Sequence, residues 1–340
     1  MTRRRNDLML PVSLLAGVGA VVWLAWRFGL EDLAAAFAQL RFADLAVYLA
    51  VAVAVCLGYS LRWYVVARAV GPTRSLARFV GARLAGDALG GLLPTGKVSG
   101  DPLRVALVRA DGGAGVAAGT GVAIDRMLEL TGNTLCATAY VTVFSLAHTL
   151  GPSRRPAFLL VLTLLGLLAL IAVPVQMLRR GRRPLTPLCN GVLQRYRSLQ
   201  PALAVLRAIE DNMMRVVRER PRLLIGGLLG SLLVEGLVIA EYHYLLASFG
   251  IRLDLPTLLM ALVATGLARV VPTPAGLGAL EAGQVSVLAI ASGRPDVGFV
   301  VGMVIRMHET LWTAAGLAAL SAQGFSIARL RLLASAEEPG

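Results

Sequence analysis

The sequence is poor in charge and in the residue types that build catalytic or metal sites. Only 16% of its 340 residues are charged, three are histidine, and Lys97 is the single lysine beside 32 arginines. The three cysteines, Cys56, Cys136 and Cys189, have none of the paired spacings of metal ligands or disulfide frameworks. The sequence therefore predicts no metal site, no disulfide and no cofactor.

Motifs of the common enzyme classes are also missing. The three histidines are far apart, and neither a His-Glu-x-x-His zinc motif nor a Gly-x-Ser-x-Gly nucleophile motif occurs. The segment from Gly91 to Lys97 approaches the phosphate-binding loop of nucleotide-binding proteins. That loop needs Ser or Thr directly after the lysine, and Val98 stands there instead. We expect no catalytic residue and no bound nucleotide.

Apolar residues are what the chain has in excess. They make up 56% of it, and the mean hydropathy is +0.70, which is too apolar for the surface of a soluble protein. The formal charge of +13 does not indicate nucleic-acid binding, because the arginines cluster in short segments beside apolar runs, as in membrane proteins. The composition predicts an all-α polytopic membrane protein, with residues 1–340 forming a single integral membrane domain.

About 20 apolar residues cross the hydrocarbon core of a bilayer. On this criterion the sequence predicts six full spans, at residues 8–28, 43–67, 117–147, 156–178, 222–247 and 297–322. Two further apolar segments, 79–103 and 256–292, are interrupted by Pro and Gly near their middles. Since a broken helix frees backbone groups that lipid cannot satisfy, each segment is predicted to form a re-entrant helical hairpin.

The arginines predict the orientation. The loop at 179–222 carries eleven of them and is predicted to be cytoplasmic, as are both termini, including the tail at 323–340. We expect the protein in a bacterial inner membrane, with the two hairpins entering from opposite sides, as in inverted-repeat transporters. The apolar spacing from Val192 to Val217 predicts an amphipathic helix, lying either in the membrane interface or on the protein's own cytoplasmic face.

The two broken segments resemble each other. In each, a Pro-Thr pair is followed by glycine six residues after the proline, and glycine permits tight turns that expose backbone N–H groups. The predicted hairpin-backbone residues are Gly91, Pro94, Gly96 and Gly100 in the first segment, and Pro272, Pro274, Gly276 and Gly278 in the second.

Ionisable residues within the apolar segments are the candidate binding groups. A charge at the bilayer centre costs about 3 kcal/mol unless it is paired or faces a polar cavity. Lys97 and Arg104 suit a lipid phosphate, and Glu281 is expected to pair with Arg126 or Arg306 near a helix N-terminus. The predicted substrate-binding residues are Lys97, Asp101, Arg104, Asp125, Arg126, Glu129, Glu281 and Arg306. The alternative is that the first segment is an interfacial loop whose basic residues, Lys97 and Arg104, only meet lipid phosphates.

Four landmarks occur in a particular order: the segment 86–104, the pair Asp125-Arg126, the segment 269–281, and Arg306. In them the chain resembles, over nearly its whole length, the flippase-like membrane domain of lysylphosphatidylglycerol synthases. It departs from that pattern at Asp125, where Glu is frequent, and at Ala275, where Gly is frequent. The resemblance implies passage of a lipid headgroup between leaflets. Those synthases carry a soluble transferase domain after the membrane part, which we do not expect here.

The sequence thus favours a lipid flippase over an enzyme. Its substrate could be a phospholipid, a hopanoid or a polyprenyl-linked lipid, and His308 with Glu309 could serve proton coupling. One alternative is a membrane-embedded transferase with a polyprenyl-phosphate donor and Asp87 or Asp101 as metal ligand or base. Another is a scaffold in a lipid-synthesis complex.

Overall fold

The computed structural model describes residues 38, 41–92, 99–109, 115–148, 155–187, 190, 200–268, 271 and 276–322. These residues are almost entirely helical and include no strand. The ten helices are α1 (Phe42–Val70), α2 (Leu76–Leu92), α3 (Asp101–Val108), α4 (Gly115–His148), α5 (Arg155–Arg179), α6 (Gln200–Glu219), α7 (Pro221–Ser248), α8 (Leu255–Ala268), α9 (Ala279–Ser292) and α10 (Pro295–Ala322). The predicted span at 8–28 and the tail at 323–340 lie outside the described residues.

Among the described residues, three helices are long and apolar enough to cross a membrane: α1, α4 and α7. Two more long helices, α5 and α10, cover predicted spans, but α5 contains Pro174 and α10 carries charged residues in its middle. The fold is that of a multi-pass membrane protein.

The first broken segment folds back on itself. A Cβ on Gly100, just before α3, would overlap the backbone of Gly86 in α2, and Arg78 Nε donates to the Leu107 carbonyl oxygen at 2.8 Å. The segment runs over residues 76–108, longer than the predicted 79–103, because helix α2 begins earlier and α3 continues further. Pro94, Gly96 and Lys97 lie outside the described residues.

The second broken segment is also an antiparallel helix pair. Gln284 Nε2 in α9 donates to the Ala261 carbonyl at 2.9 Å and to Thr265 Oγ1 at 3.0 Å, both in α8. The turn before α9 uses Gly276 and Gly278 at φ of 63° and 79°, which glycine adopts without strain. Each helix has 14 residues and so a length of about 21 Å. That is shorter than a hydrocarbon core of about 30 Å.

Helices α1 and α7 pack side by side in opposite directions. The N–H of Arg41 donates to the Ser248 carbonyl at 2.7 Å at one end, and the Tyr59 hydroxyl donates to Glu235 at 3.0 Å further along. A Cβ on Gly58 would lie 2.7 Å from Val234, so the two backbones approach closely there. This antiparallel pair is the most extensive helix contact among the described residues.

The other contacts are reciprocal. The first hairpin, α2 and α3, precedes α4 but packs through α2 on α10; the second, α8 and α9, precedes α10 but packs through α8 on α4. The order of elements in α1–α4, a long helix, two hairpin arms and a long helix, is therefore the order in α7–α10. We call these the first and second units.

Helix α6 covers one end of the bundle. Its apolar face buries Leu203, Met213 and Val217 against α4 and α5. The buried carboxylate of Glu210 accepts hydrogen bonds from the backbone N–H groups of Leu185, at 2.6 Å, and Thr186, at 3.3 Å. The described helix therefore packs on the protein's own surface, and its place relative to the membrane interface stays a prediction.

The close packing of α2 on α10 depends on Gly316. A Cβ there would lie 2.6 Å from the Ala88 Cβ and overlap the Leu84 carbonyl. We expect Gly316→Ala to lower the free energy of unfolding by about 1–3 kcal/mol, as overpacking does. Reversible denaturation in mixed micelles measures this. In the control Gly236→Ala the new methyl meets no atom within 4 Å, and stability should stay equal or rise by up to about 1 kcal/mol. Equal effects of the two changes would contradict the packing described here.

Candidate functional site

Charged side chains gather at two places in the bundle. The first charged cluster consists of Arg62, Arg83, Asp87, Asp101, Arg104, Asp125, Arg126 and Glu129. The second charged cluster consists of Glu281, Arg306 and Glu309. Each cluster includes the start of the second arm of a hairpin and the middle of the long helix that follows it.

Asp125 of α4 is the centre of the first charged cluster. It is completely buried and receives one arginine from each of three other helices. Arg62 Nε of α1 donates to it at 2.9 Å, Arg83 of α2 at 3.3 Å, and Arg104 of α3 at 2.7 Å. This single carboxylate thereby ties α4 to α1 and to both arms of the first hairpin.

Glu129 lies one turn after Asp125 on the same face. It accepts from Arg83 at 3.0 Å and from Arg126 at 3.3 Å, and lies 3.5 Å from Arg62. With Asp87, 3.4 Å from Arg83 Nε, the cluster has four acids for four arginines. A buried charge network is tolerated when it is balanced and hydrogen-bonded in this way.

The first charged cluster has a closed part and an open edge. The Arg104 side chain is fully buried and stacks on the Trp63 ring at 4.1 Å. Asp101 and Arg126 are joined by two hydrogen bonds of 2.6 and 3.1 Å, and their side chains keep 16% and 12% exposure. Within this cluster Asp101, Arg126 and Asp87 thus keep partial exposure, whereas Arg104 and Asp125 are enclosed.

The second charged cluster is built on the start of α9. Glu281 is the third residue of that helix, and its carboxylate accepts from the N–H of Gly278 at 2.9 Å. The same carboxylate binds Arg306 through Nε at 2.9 Å and Nη2 at 3.2 Å. The predicted pairing of Glu281 with Arg126 or Arg306 is confirmed for Arg306. The guanidinium neutralises a carboxylate that is itself fully buried.

Arg306 has two more partners. Its Nη1 donates to Glu309 at 3.1 Å, and its Nη2 donates to the Gly276 carbonyl at 3.2 Å. The side chains of Arg306 and Glu309 are 15% and 17% exposed, so this cluster also has an open edge.

The two clusters share one pattern. An acid in the first turn of the second hairpin arm pairs with an arginine 25 residues later, and that arginine pairs with an acid three residues further on. The first triad is Asp101, Arg126 and Glu129, and the second triad is Glu281, Arg306 and Glu309. Each residue of the second triad lies 180 positions after its counterpart.

Sequence reasoning missed Arg62 and Arg83. Both were recognisable: Arg62 interrupts the predicted span at 43–67, and Arg83 is four residues before Asp87 in an apolar segment. Lys97, Pro94, Gly96, Pro272 and Pro274 lie outside the described residues, so their roles stay predictions. The part of the chain that the structure describes contains no group of three metal-ligating side chains.

Removing one arginine from the closed part leaves four acids with three arginines, so one buried negative charge is in excess. We expect Arg62→Met to lower the free energy of unfolding by about 3–5 kcal/mol, the range for breaking a buried ion pair. The matched control is Arg294→Met, which breaks a 2.7 Å pair with Asp296 whose arginine is 62% exposed. That change should alter stability by less than about 1 kcal/mol. Denaturation in mixed micelles compares them, and an Arg62→Met protein as stable as the control would contradict the network.

The chain matches one known family. The family described as "Lysylphosphatidylglycerol synthase TM region" matches residues 10–316, a range that contains both hairpins and both triads. No curated protein and no solved structure matches the chain. The family match connects the chain with membrane lipids. The chain belongs to the lysylphosphatidylglycerol synthase transmembrane-region family.

Proposed function

We propose that the protein moves a phosphate-bearing lipid headgroup between the leaflets of the inner membrane. The observation that carries this proposal is the repeated triad, which presents an arginine at the open edge of each charged cluster. Unaided, a headgroup crosses the hydrocarbon slowly because its charges must be stripped of water. A pathway that offers paired charges in place of water lowers that barrier.

The chemistry of the triads suits a phosphate. A guanidinium can hold two phosphate oxygens with parallel hydrogen bonds. In the structure Arg126 donates two such hydrogen bonds to Asp101, and Arg306 donates two to Glu281. A headgroup phosphate would displace the carboxylate from the guanidinium, and the displaced acid would keep its other donor: Arg104 for Asp101, and the N–H of Gly278 for Glu281.

The enclosed residues act on the lipid indirectly. Arg104 and Asp125 are fully buried and contact the open pair through Asp101, so we assign them a positioning role. Glu129 has the same role, since it fixes Arg126 while its own side chain is 3% exposed. Lys97, which follows α2 in the chain, is proposed as a further phosphate contact on the basis of its sequence context.

The two units are proposed to form an inverted repeat. The antiparallel packing of α1 on α7 and the exchange of hairpins between units support this arrangement. In it, both hairpins are re-entrant and approach from opposite sides of the membrane, with six full spans and cytoplasmic termini. Rocking of one unit against the other would expose the first and second triads in turn.

Transport is measurable with purified protein in vesicles. We expect fluorescently labelled phosphatidylglycerol or a labelled polyprenyl phosphate to exchange leaflets faster than in protein-free vesicles, as shown by reduction of the outer-leaflet label with dithionite. Arg126→Gln and Arg306→Gln should each slow exchange by about 10- to 100-fold, because each removes a charge-assisted bond of about 1.5–3 kcal/mol.

The control for these variants is Arg294→Gln, whose arginine is exposed and pairs with its near neighbour Asp296. Its transport should equal that of the unchanged protein. Exchange at the protein-free rate with both lipids would contradict the proposal. Chemical consumption of the polyprenyl phosphate without leaflet exchange would favour a transferase instead.

A further inference from the structure

Outside both charged clusters, a histidine and a glutamate form an ionisable centre within the apolar core of the described residues. His308 of α10 is 7% exposed, and Glu241 of α7 is 4% exposed. They lie among the apolar side chains that join α1, α7 and α10, including Ala52, Leu245 and Val304. An ionisable group at such a place in a membrane protein is expensive and points to a function.

The contacts of His308 link the two units. The Tyr48 hydroxyl of α1 lies 2.7 Å from His308 Nδ1, and this bond crosses from the first unit to the second. Glu241 Oε1, within the second unit, lies 3.9 Å from the same nitrogen. The imidazole ring is also packed against Tyr242 at 5.4 Å and Trp312 at 6.4 Å between ring centroids.

The internal repeat shows that packing alone does not require this centre. Leu128 lies 180 positions before His308, and Leu228 lies 180 positions after Tyr48. These two leucines pack together in an apolar cluster at the equivalent place of the first unit. The triads are therefore present in both units, while the histidine centre is present in one.

We propose that His308 is a proton-binding site that couples lipid movement to the proton gradient. In the neutral imidazole, Nδ1 accepts the Tyr48 hydroxyl proton and Nε2 carries the ring proton. When Nδ1 binds a proton from water, it becomes a donor and Tyr48 can no longer donate to it. The Glu241 carboxylate then competes as the acceptor, so the hydrogen bond between the units is exchanged for an ion pair within the second unit.

This exchange acts on the same helix as the second triad. Arg306 and Glu309 flank His308 on α10, so a shift of α10 relative to α1 moves the triad as well. The groups that face the imidazole are Tyr48 from α1, Glu241 and Tyr242 from α7, and Trp312 from α10 itself. Of the acids on the hairpin helices packed against α10, Glu281 contacts Arg306 and Asp87 contacts Arg83. Because the histidine centre is present only in the second unit, proton binding acts on one of the two triads and can set the direction of lipid transport.

Titration of His308 is measurable without transport. Protonation of the His308 imidazole should change the fluorescence of the neighbouring Trp312 indole. Tryptophan emission of the purified protein should therefore show a transition between about pH 5 and 8. The transition should be lost in His308→Gln and in Trp312→Phe. It should remain in the control His243→Gln, whose histidine is exposed. A transition that persists in His308→Gln, or no transition in the unchanged protein, would overturn the proton site.

The coupling rests on the proposed function and is tested separately in vesicles. The rate of phosphatidylglycerol or polyprenyl-phosphate exchange should change at least threefold across the same pH range in the unchanged protein and in His243→Gln. In His308→Gln it should be independent of pH. An unchanged pH dependence in His308→Gln would overturn the coupling. Absence of exchange at every pH would instead refute the proposed function, while the fluorescence titration would still decide the proton site.

Discussion

The requirement that no charge stay unpaired in the membrane interior organises this protein. Asp125 illustrates it, because this fully buried carboxylate on α4 accepts hydrogen bonds from one arginine of each of α1, α2 and α3. Removing one partner of such a network exposes the others to a desolvation penalty of several kcal/mol. The assembly of the first unit and the orientation of its open pair, Asp101 and Arg126, therefore depend on the same few bonds.

The second unit holds its triad with different contacts from those of the first unit. Its residues 180 positions after Arg62, Arg83 and Asp125 are Tyr242, Val263 and Ile305, so the buried arginine network has no counterpart. Glu281 is held instead by the backbone N–H of Gly278 and by Arg306. The triads are alike in spacing but unlike in support. The two triads therefore offer the same three charges in different surroundings.

Much of the fold was predictable because its signals are local. Runs of apolar residues gave the long helices within a few residues, and proline and glycine gave the positions of both breaks. The pairing of Glu281 with Arg306 was predictable too, since a carboxylate near a buried helix start needs a cation. The first charged cluster was not predictable from the sequence. The arginines that contact Asp125 come from three other helices, and only the packing of all four helices brings them together. Arg62 and Arg83 stand out as charges in apolar segments, but their shared partner is evident only from that packing. The spacing of 25 and three residues that the two triads share is present in the sequence. Only the observed contacts show that these residues form equivalent triads.

The central claim is that the arginines of the two triads receive a lipid headgroup. The most direct measurement is an electron cryomicroscopy structure of the protein in nanodiscs made from its native membrane lipids. The account predicts a headgroup phosphate within about 4 Å of the guanidinium of Arg126 or Arg306, the distance of an ion pair, with Asp101 or Glu281 displaced from it. Lipid density confined to the outer surface of the bundle, with both arginines still bound only to their carboxylates at saturating lipid, would contradict it.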